Sequence, residues 1–510
     1  MSQSFDRSDS LQQLQQRKTP WDLVVIGGGA TGVGVALDAA TRGLDVVLLE
    51  RFDFGSGTSS RSTKLVHGGV RYLKQGNITL VRDALRERTL LKENANHLVH
   101  DKAFLIPCES LWQWFFYGVG LKVYDLLATG NSFGRSKFIS ARRAVELSPA
   151  IRRERLRGAV LYHDGQFDDA RLLVDMAITS ATHGAILANY MSVIEIAKSS
   201  DGIVSGVVAV DTETGRRFEI AAKSIVNAAG PFGDQLRQMD DPKCEPMIAA
   251  SQGVHLVFPK ELYPGDTAMI VPQTSDGRVI FIVPWHDHAI VGTTDTAIPM
   301  AVPEPVPQTQ EIQFLLETAG EYLTRRPTIE DVLSIFTGIR PLVKNDKSSR
   351  TASLSRDHVI KVAPSKLITI SGGKWTTVRK MAQDCVDRAI EIASLSAQPC
   401  STTTTKIPDS RSTGIAQLQR DSPQLADLIH PSLPIRHSDV VWAVQNEMAR
   451  TAEDVLARRT RMLFLEAQAS IEAAPVVAGV MSTVLGTDQD WCDAQVSAFE
   501  RTAQNYLPHR

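Results

Sequence analysis

The stretch WDLVVIGGGATGVGVALDAATRGLDVVLLE, Trp21 to Glu50, constrains the fold of this chain more than any other. Leu23 to Ile26 is an apolar run suited to a buried parallel strand, and Gly27, Gly29 and Gly32 follow with G-x-G-x-x-G spacing. A helical run then reaches Arg42, Gly43 stops it, and Asp45 to Leu49 reads as a second apolar strand that ends in Glu50. Gly27 permits the turn off the strand, Gly29 lets backbone approach a pyrophosphate, and Gly32 allows helix and sheet to pack closely. The pyrophosphate is expected at the helix N-terminus, and Glu50 is placed to accept hydrogen bonds from a ribose diol. An adenine dinucleotide is therefore expected. A 2′-phosphate would be repelled by Glu50, which favours FAD or NAD over NADP.

A chain of 510 residues is too long for one compact core, so two or three domains are expected. Its net charge of −2 gives no global attraction to nucleic acid or anionic lipid, so any basic site must be local. Cys108, Cys244, Cys385, Cys400 and Cys492 form no C-x-x-C pair, which argues against a zinc cluster and a disulfide framework and suits a reducing cytoplasm. The first twenty residues are polar and lack an apolar signal core; they read as a flexible extension or a short surface helix. No apolar run approaches the roughly 20 residues of a spanning helix. The nearest, LWQWFFYGVGLKVYDLL from Leu111 to Leu127, is interrupted by Gln113, Lys122 and Asp125. It reads either as a helix pair packed on the core or as an interfacial segment that dips aromatics into a membrane face.

Beyond Glu50, RFDFGSGTSSRSTKLVHGGVRYL is dense in Gly, Ser and Thr and then basic, as suits a loop that surrounds a cofactor. Gly68 and Gly69 are expected to admit a flat ring. Leu80 to His97 and Gln310 to Arg325 read as helices, and Met191 to Ile220 as strands around the turn signals Asp201-Gly202 and Thr214-Gly215. SIVNAAGPFGDQL and LITISGGKWTTVRK each repeat the order of strand and then glycine. The organisation expected is an extension over residues 1–20, an oxidoreductase unit over 21–396, a Ser/Thr/Pro-rich linker over 397–414 and a helical domain over 415–510. Ser438 and Thr451 are expected helix N-caps. Arg450, Arg458, Arg459 and Arg461 form a basic cluster, a pattern that usually marks a solvated helix face.

Taken together, GGGATG at Gly27, TSSRSTKLVHGGVRYL at Thr58, NAAGPF at Asn227, GVHLV at Gly253, PWHDHAIVGTTD at Pro284, GIRPL at Gly338, SRDH at Ser355 and GGKWTT at Gly372 carry a family likeness. The chain resembles the FAD-dependent, quinone-linked glycerol-3-phosphate dehydrogenases, from about Trp21 to Arg461. EMARTAEDVLARRTR, from Glu447, is similar to the helical C-terminal domain of that family. Two departures stand out: Gln252 after Ser251, where many relatives carry a base, and Trp375, where a smaller aliphatic is common. The fold implied is α/β, an FAD-binding Rossmann-like domain interleaved with an α+β substrate domain of D-amino-acid-oxidase type, plus a C-terminal helical domain. The cofactor residues implied are Gly27, Gly29, Thr31, Gly32, Glu50, Arg51, Thr58, Ser59, Ser60, Thr63, Lys64, His67, Gly68, Gly69, Ala229, Gly230, Gly372, Gly373, Lys374 and Thr376.

Oxidising a secondary alcohol requires a hydride acceptor, a base for the hydroxyl proton and positive charge for an anionic substrate. The resemblance implies His255 as base, with His67 as the other candidate. Arg71, Tyr72, Arg340 and Arg356 are expected at the substrate, and Arg340 and Lys374 join His255 as catalytic residues. Arginine suits phosphate because its planar fork donates two parallel hydrogen bonds. The implied partners are glycerol 3-phosphate, a membrane quinone and the inner face of the cell membrane, with a homodimer admitted and neither metal nor nucleic acid expected. An oxidase of the same fold that passes electrons to oxygen, and a catalytically silent flavin-binding subunit, are the competing readings.

Overall fold

The computed structural model describes residues 5–69, 78–128, 130, 133–272, 274, 277–344 and 357–508. Its first sheet runs in the order His358–Val362, Ile368–Gly372, Arg217–Asn227, Trp21–Ile26, Val46–Leu49 and Ile186–Ala188. The last five strands of that order are parallel, and only His358–Val362 runs against its neighbour. Parallel strands are covered on both faces, which is why Leu23, Val24 and Val25 form an unbroken apolar run and are fully buried. One face is covered by the helix Ala30–Thr41, itself packed against the helices Asp169–Thr182 and Val378–Ala393. An antiparallel arm, Met191–Lys198 and Val204–Asp211, pairs with the first half of Arg217–Asn227. The helix Arg7–Gln16 is anchored to that arm by a 2.6 Å ion pair between buried Arg7 and Asp211, and it buries Leu14.

The second sheet is built around Ile248–Pro259, which is antiparallel to Ser334–Val343 on one side and to His288–Gly292 on the other. It continues through Ile280–Trp285, Ala268–Val271, Val99–Cys108 and Gly158–Phe167 to the short strand Leu65–Val66. That last strand belongs to the loop that follows Glu50, so the loop ties the two sheets together. The C-terminal helices His437–Asn446, Ala467–Leu485 and Gln489–Ala503 share an apolar core with the second sheet, where Phe464 packs between Phe336 at 5.0 Å and Tyr506 at 5.5 Å.

Three local expectations need correcting. Leu111–Leu127 is one helix, not a pair: Gly118, Leu121 and Tyr124 face the core, while Leu111, Trp112, Phe115, Phe116, Val119, Val123 and Leu126 are exposed. A longer apolar helix exists at Ala467–Leu485, of a length and composition that could cross a bilayer, yet it buries Ala473, Ala474, Val477 and Met481 in the C-terminal core. Its alanines pack closely there, and their modest apolarity left it inconspicuous in the sequence. Ser438 lies inside the helix His437–Asn446 and accepts a hydrogen bond from Gln419, whereas the Thr451 hydroxyl does accept from the amide of Asp454.

Candidate functional site

A cavity of about 670 Å³ opens where the two sheets and the C-terminal helices meet. Gly27, Gly29, Thr31, Glu50, Arg51, Thr58, Ser59, Ala229, Gly230, Gly372, Gly373 and Lys374 all line it. Gly27 turns off its strand with a φ of +111°, and a side chain there would strike the carbonyl of Ala228 at 2.6 Å. A Cβ on Gly32 would fall 1.9 Å from the Gly27 carbonyl, so this glycine is required for packing and not for ligand contact. The helix Ala30–Thr41 starts at the cavity wall, and the first-turn amide of Ala30 donates to the Ser59 hydroxyl at 2.8 Å. That hydroxyl holds the glycine loop against the Thr58–Ser60 turn at the end of the helix where an anion is favoured. The Glu50 carboxylate accepts from the amides of Gly28 and Phe52. Burial raises its pKa, and those two amides oppose the shift. Volume, glycine cradle, helix N-terminus and buried acid together fit an adenine dinucleotide.

The double-glycine segment closes the cavity from the opposite side. Trp375 donates from its indole nitrogen to the Ser59 carbonyl at 2.8 Å, and Thr376 exchanges hydrogen bonds with the backbone of His67. The bulky residue at 375 is therefore a brace between the two cofactor-facing loops, edge-on to Phe167 at 5.3 Å. Lys374 lines the cavity just ahead of it.

Other residues expected at the cofactor do not line this cavity. Lys64 is fully buried, with its ammonium 2.7 Å from Asp169 and 2.7 Å from the Ser60 carbonyl, inside a box of Trp285, Phe336 and Phe464. Its charge organises the loop and is not offered to a cofactor. Gly68 does not face open space either: a Cβ there would meet the Tyr124 hydroxyl at 2.3 Å and Leu85 at 2.6 Å. Both outcomes depend on partners distant in the chain, which composition of the loop cannot reveal. Gly69 has a φ of +79° and is the last described residue before position 70. Arg71, Tyr72 and Arg356 lie outside the described residues.

His255 and Arg340 meet on the second sheet. His255 pairs with Phe336, Gly253 with Gly338, and Ser251 with Arg340, so these residues share one face. Neither facing glycine borders open space: a Cβ on Gly338 would meet the Arg61 carbonyl at 2.8 Å. A Cβ on Gly253 would lie 2.5 Å from the Arg340 guanidinium, which rests there and donates to Thr293 at 3.0 Å, with Asp295 at 3.5 Å. His255 is 2% exposed and its Nε2 lies 2.9 Å from the Thr63 hydroxyl. Its Nδ1 has no hydrogen-bond partner among the described residues. Burial holds its pKa well below the usual histidine value, and the charges of Lys64 and Arg340 push the same way. A neutral imidazole at neutral pH is what a general base requires.

The arginine cluster near the C-terminus is not a solvated face. Asp53 is fully buried and accepts from Arg458 at 2.5 Å and from Arg459 at 2.7 and 2.8 Å, and Arg461 reaches Asp169 at 3.0 Å. Only Arg450 stays at the surface, paired with Glu213. Glu453 and Arg458 line the cavity, so the C-terminal helices supply part of its wall. The sequence signal was present in the closely spaced Arg458, Arg459 and Arg461, but the acid Asp53 lies 405 positions before Arg458 and Asp169 lies 292 before Arg461.

Residues 22–375 match the family described as FAD dependent oxidoreductase, and residues 409–492 match the C-terminal domain of alpha-glycerophosphate oxidase. The chain is 39% identical over 541 residues to the mitochondrial glycerol-3-phosphate dehydrogenase of Mesocricetus auratus, covering 96% of this chain and 74% of that protein. The chain belongs to the FAD-dependent glycerol-3-phosphate dehydrogenase family. Its likeness to the mitochondrial family member of Arabidopsis thaliana is 39% over 549 residues, covering 96% of this chain and 86% of that one. The glycerol-3-phosphate dehydrogenase from Bacillus halodurans, solved in complex with FAD, superposes with a TM-score of 0.79 at 28% identity over 99% of each chain. FAD is thus the dinucleotide for which the glycine cradle and Glu50 are shaped, and NAD is set aside. The fold expected from the motifs, an FAD-binding α/β unit joined to a helical C-terminal region, is that of the family.

Proposed function

We propose that the chain oxidises sn-glycerol 3-phosphate to dihydroxyacetone phosphate and passes the electrons to a membrane quinone. The single observation that carries this reading is the sheet face on which neutral, buried His255 and the Arg340 guanidinium stand on either side of the Gly253–Gly338 pair. FAD, when bound, supplies the hydride acceptor for C2 of the substrate. His255 takes the C2 hydroxyl proton, while Arg340, with Arg71, Tyr72 and Arg356, holds the phosphate and fixes the orientation of the alcohol. Lys374, at the cavity wall, polarises the flavin or the substrate oxygen. Anaerobic addition of glycerol 3-phosphate should bleach the flavin band at about 450 nm. Retention of the band refutes the reading in favour of a silent flavin-binding subunit.

The electron acceptor is addressed by the exposed face of the helix Leu111–Leu127. Leu111, Trp112, Phe115, Phe116, Val119, Val123 and Leu126 recur at helical spacing on one side, and Phe138 is exposed as well. Contiguous apolar surface of this kind suits an interfacial helix, so the enzyme sits peripherally on the inner face of the cell membrane, beside its quinone. Oxygen uptake without any added acceptor, from protein that ignores vesicles, would favour the oxidase.

A further inference from the structure

We propose that Arg458 and Arg459 of the C-terminal region are cofactor-positioning residues that act through Asp53. The Glu50 carboxylate lies at the cavity wall and is oriented by the amide of Phe52 at 2.8 Å. Phe52 is fixed in turn by Tyr190, whose amide donates to its carbonyl at 2.9 Å. The next residue, Asp53, is completely buried, and its carboxylate is held by three guanidinium hydrogen bonds from Arg458 and Arg459. Burial alone would raise the pKa of that acid, but the two arginines, Arg459 foremost, keep it below the usual carboxylate range. Asp53 is thus a charged anchor in the loop that carries the ribose-facing acid, and its counterions come from the far end of the chain.

Local geometry makes the pairing exact to this stretch of helix. Residues Asp454–Arg459 form a π-helical turn, which departs from the ordinary 3.6-residue period and lets consecutive Arg458 and Arg459 both reach one carboxylate. Arg458 is committed on its other nitrogens to Glu453 and Asp454, and Arg459 to the Glu447 carbonyl. Tyr190 donates to Asp454 at 2.8 Å, so the residue that fixes Phe52 is tied to the same turn. Glu453 and Arg458 also stand on the cavity wall, beside Thr451 and Gln495. Because the same contacts seat the C-terminal helices and aim the Glu50 segment, FAD binding and helix seating must be linked reciprocally.

The test uses full-length protein stripped of FAD and titrated with FAD, read by quenching of flavin fluorescence. Arg459→Gln and Asp53→Asn should each weaken FAD binding about thirtyfold or more, the lower end of what removing one partner of a buried charge pair produces. The double variant should be little worse than either single one, since both act on one contact. Arg450→Ala removes an ion pair to Glu213 that joins the same regions without touching the Glu50 loop, and it should leave FAD affinity unchanged. In the wild type, FAD should slow amide hydrogen exchange across residues 451–461, a readout that needs no variant. Wild-type affinity in Arg459→Gln, equal weakening in Arg450→Ala, or exchange at 451–461 indifferent to FAD would each overturn the proposal.

Discussion

The imidazole of His255 stacks on the ring of Phe336, with centroids 4.6 Å and planes 12° apart. The apolar ring fixes the imidazole plane and removes water from it, which disfavours the charged form. His255→Ala should slow flavin reduction by glycerol 3-phosphate by about 100-fold or more, the scale of a lost general base, with substrate binding nearly intact. Since the base must be unprotonated and its pKa lies below 6.5, the wild-type rate should hold from neutral pH down to about 6.5 and fall only below it. In the alanine variant that acid limb should vanish, and hydroxide should restore part of the rate at high pH. Anaerobic stopped-flow across pH measures both; wild-type reduction rates in the variant would move the role of base to His67 or Lys374.

Lys64 is buried beside the same ring, its ammonium 5.0 Å from the Phe336 centroid, and its own pKa is pulled down to about 7 by burial and by Arg461. Its positive charge is one of the causes that hold His255 down. Lys64→Met keeps the volume and removes the charge, so the acid limb should move upward, toward the ordinary histidine value. A limb that stays in place would show that burial and Arg340, without Lys64, set the basicity of His255.

Arg340 rests over Gly253 and reaches Thr293, a geometry that uses the planar fork. Arg340→Lys keeps the charge and loses paired donation, so the Michaelis constant should rise and flavin reduction should slow in part. Gly253→Ala should act in the same direction, because its Cβ would displace the guanidinium. Steady-state kinetics with a soluble acceptor separates the two constants.

A Cβ at Gly29 would come within 3.2 Å of the Ser59 hydroxyl, at the mouth of the helix Ala30–Thr41. Gly29→Val should yield protein that folds but lacks flavin, since its larger side chain takes the space of a pyrophosphate. Flavin released per chain on denaturation, beside the circular dichroism of the same sample, tests this.

Phe115 is 61% exposed and Trp112 is 71% exposed on the face of the Leu111–Leu127 helix. Each aromatic kept from lipid forfeits about 1.5–3 kcal/mol, or about tenfold to a hundredfold in partition. Phe115→Asp should therefore release the protein from vesicles in a flotation assay while leaving flavin reduction by glycerol 3-phosphate intact. Equal flotation of wild type and variant would place the lipid contact elsewhere.

The sequence by itself determined the elements whose causes are local. Strand, glycine turn, helix and terminal acid from Leu23 to Glu50 are all consequences of neighbours within about one βαβ unit, and they formed where their pattern placed them. The same holds for the hairpins at Gly202 and Gly215, whose positive φ angles answer to the turn signals. The tertiary structure decided everything that depends on a partner far along the chain. It turned Lys64 inward to Asp169, filled the space over Gly68 with Tyr124, and buried Arg458 and Arg459 against Asp53. A charge, a glycine or an arginine run in one dimension carries no record of what will face it. Burial and pairing energies are set by the environment that distant segments build, and here the two sheets and the C-terminal helices build it together.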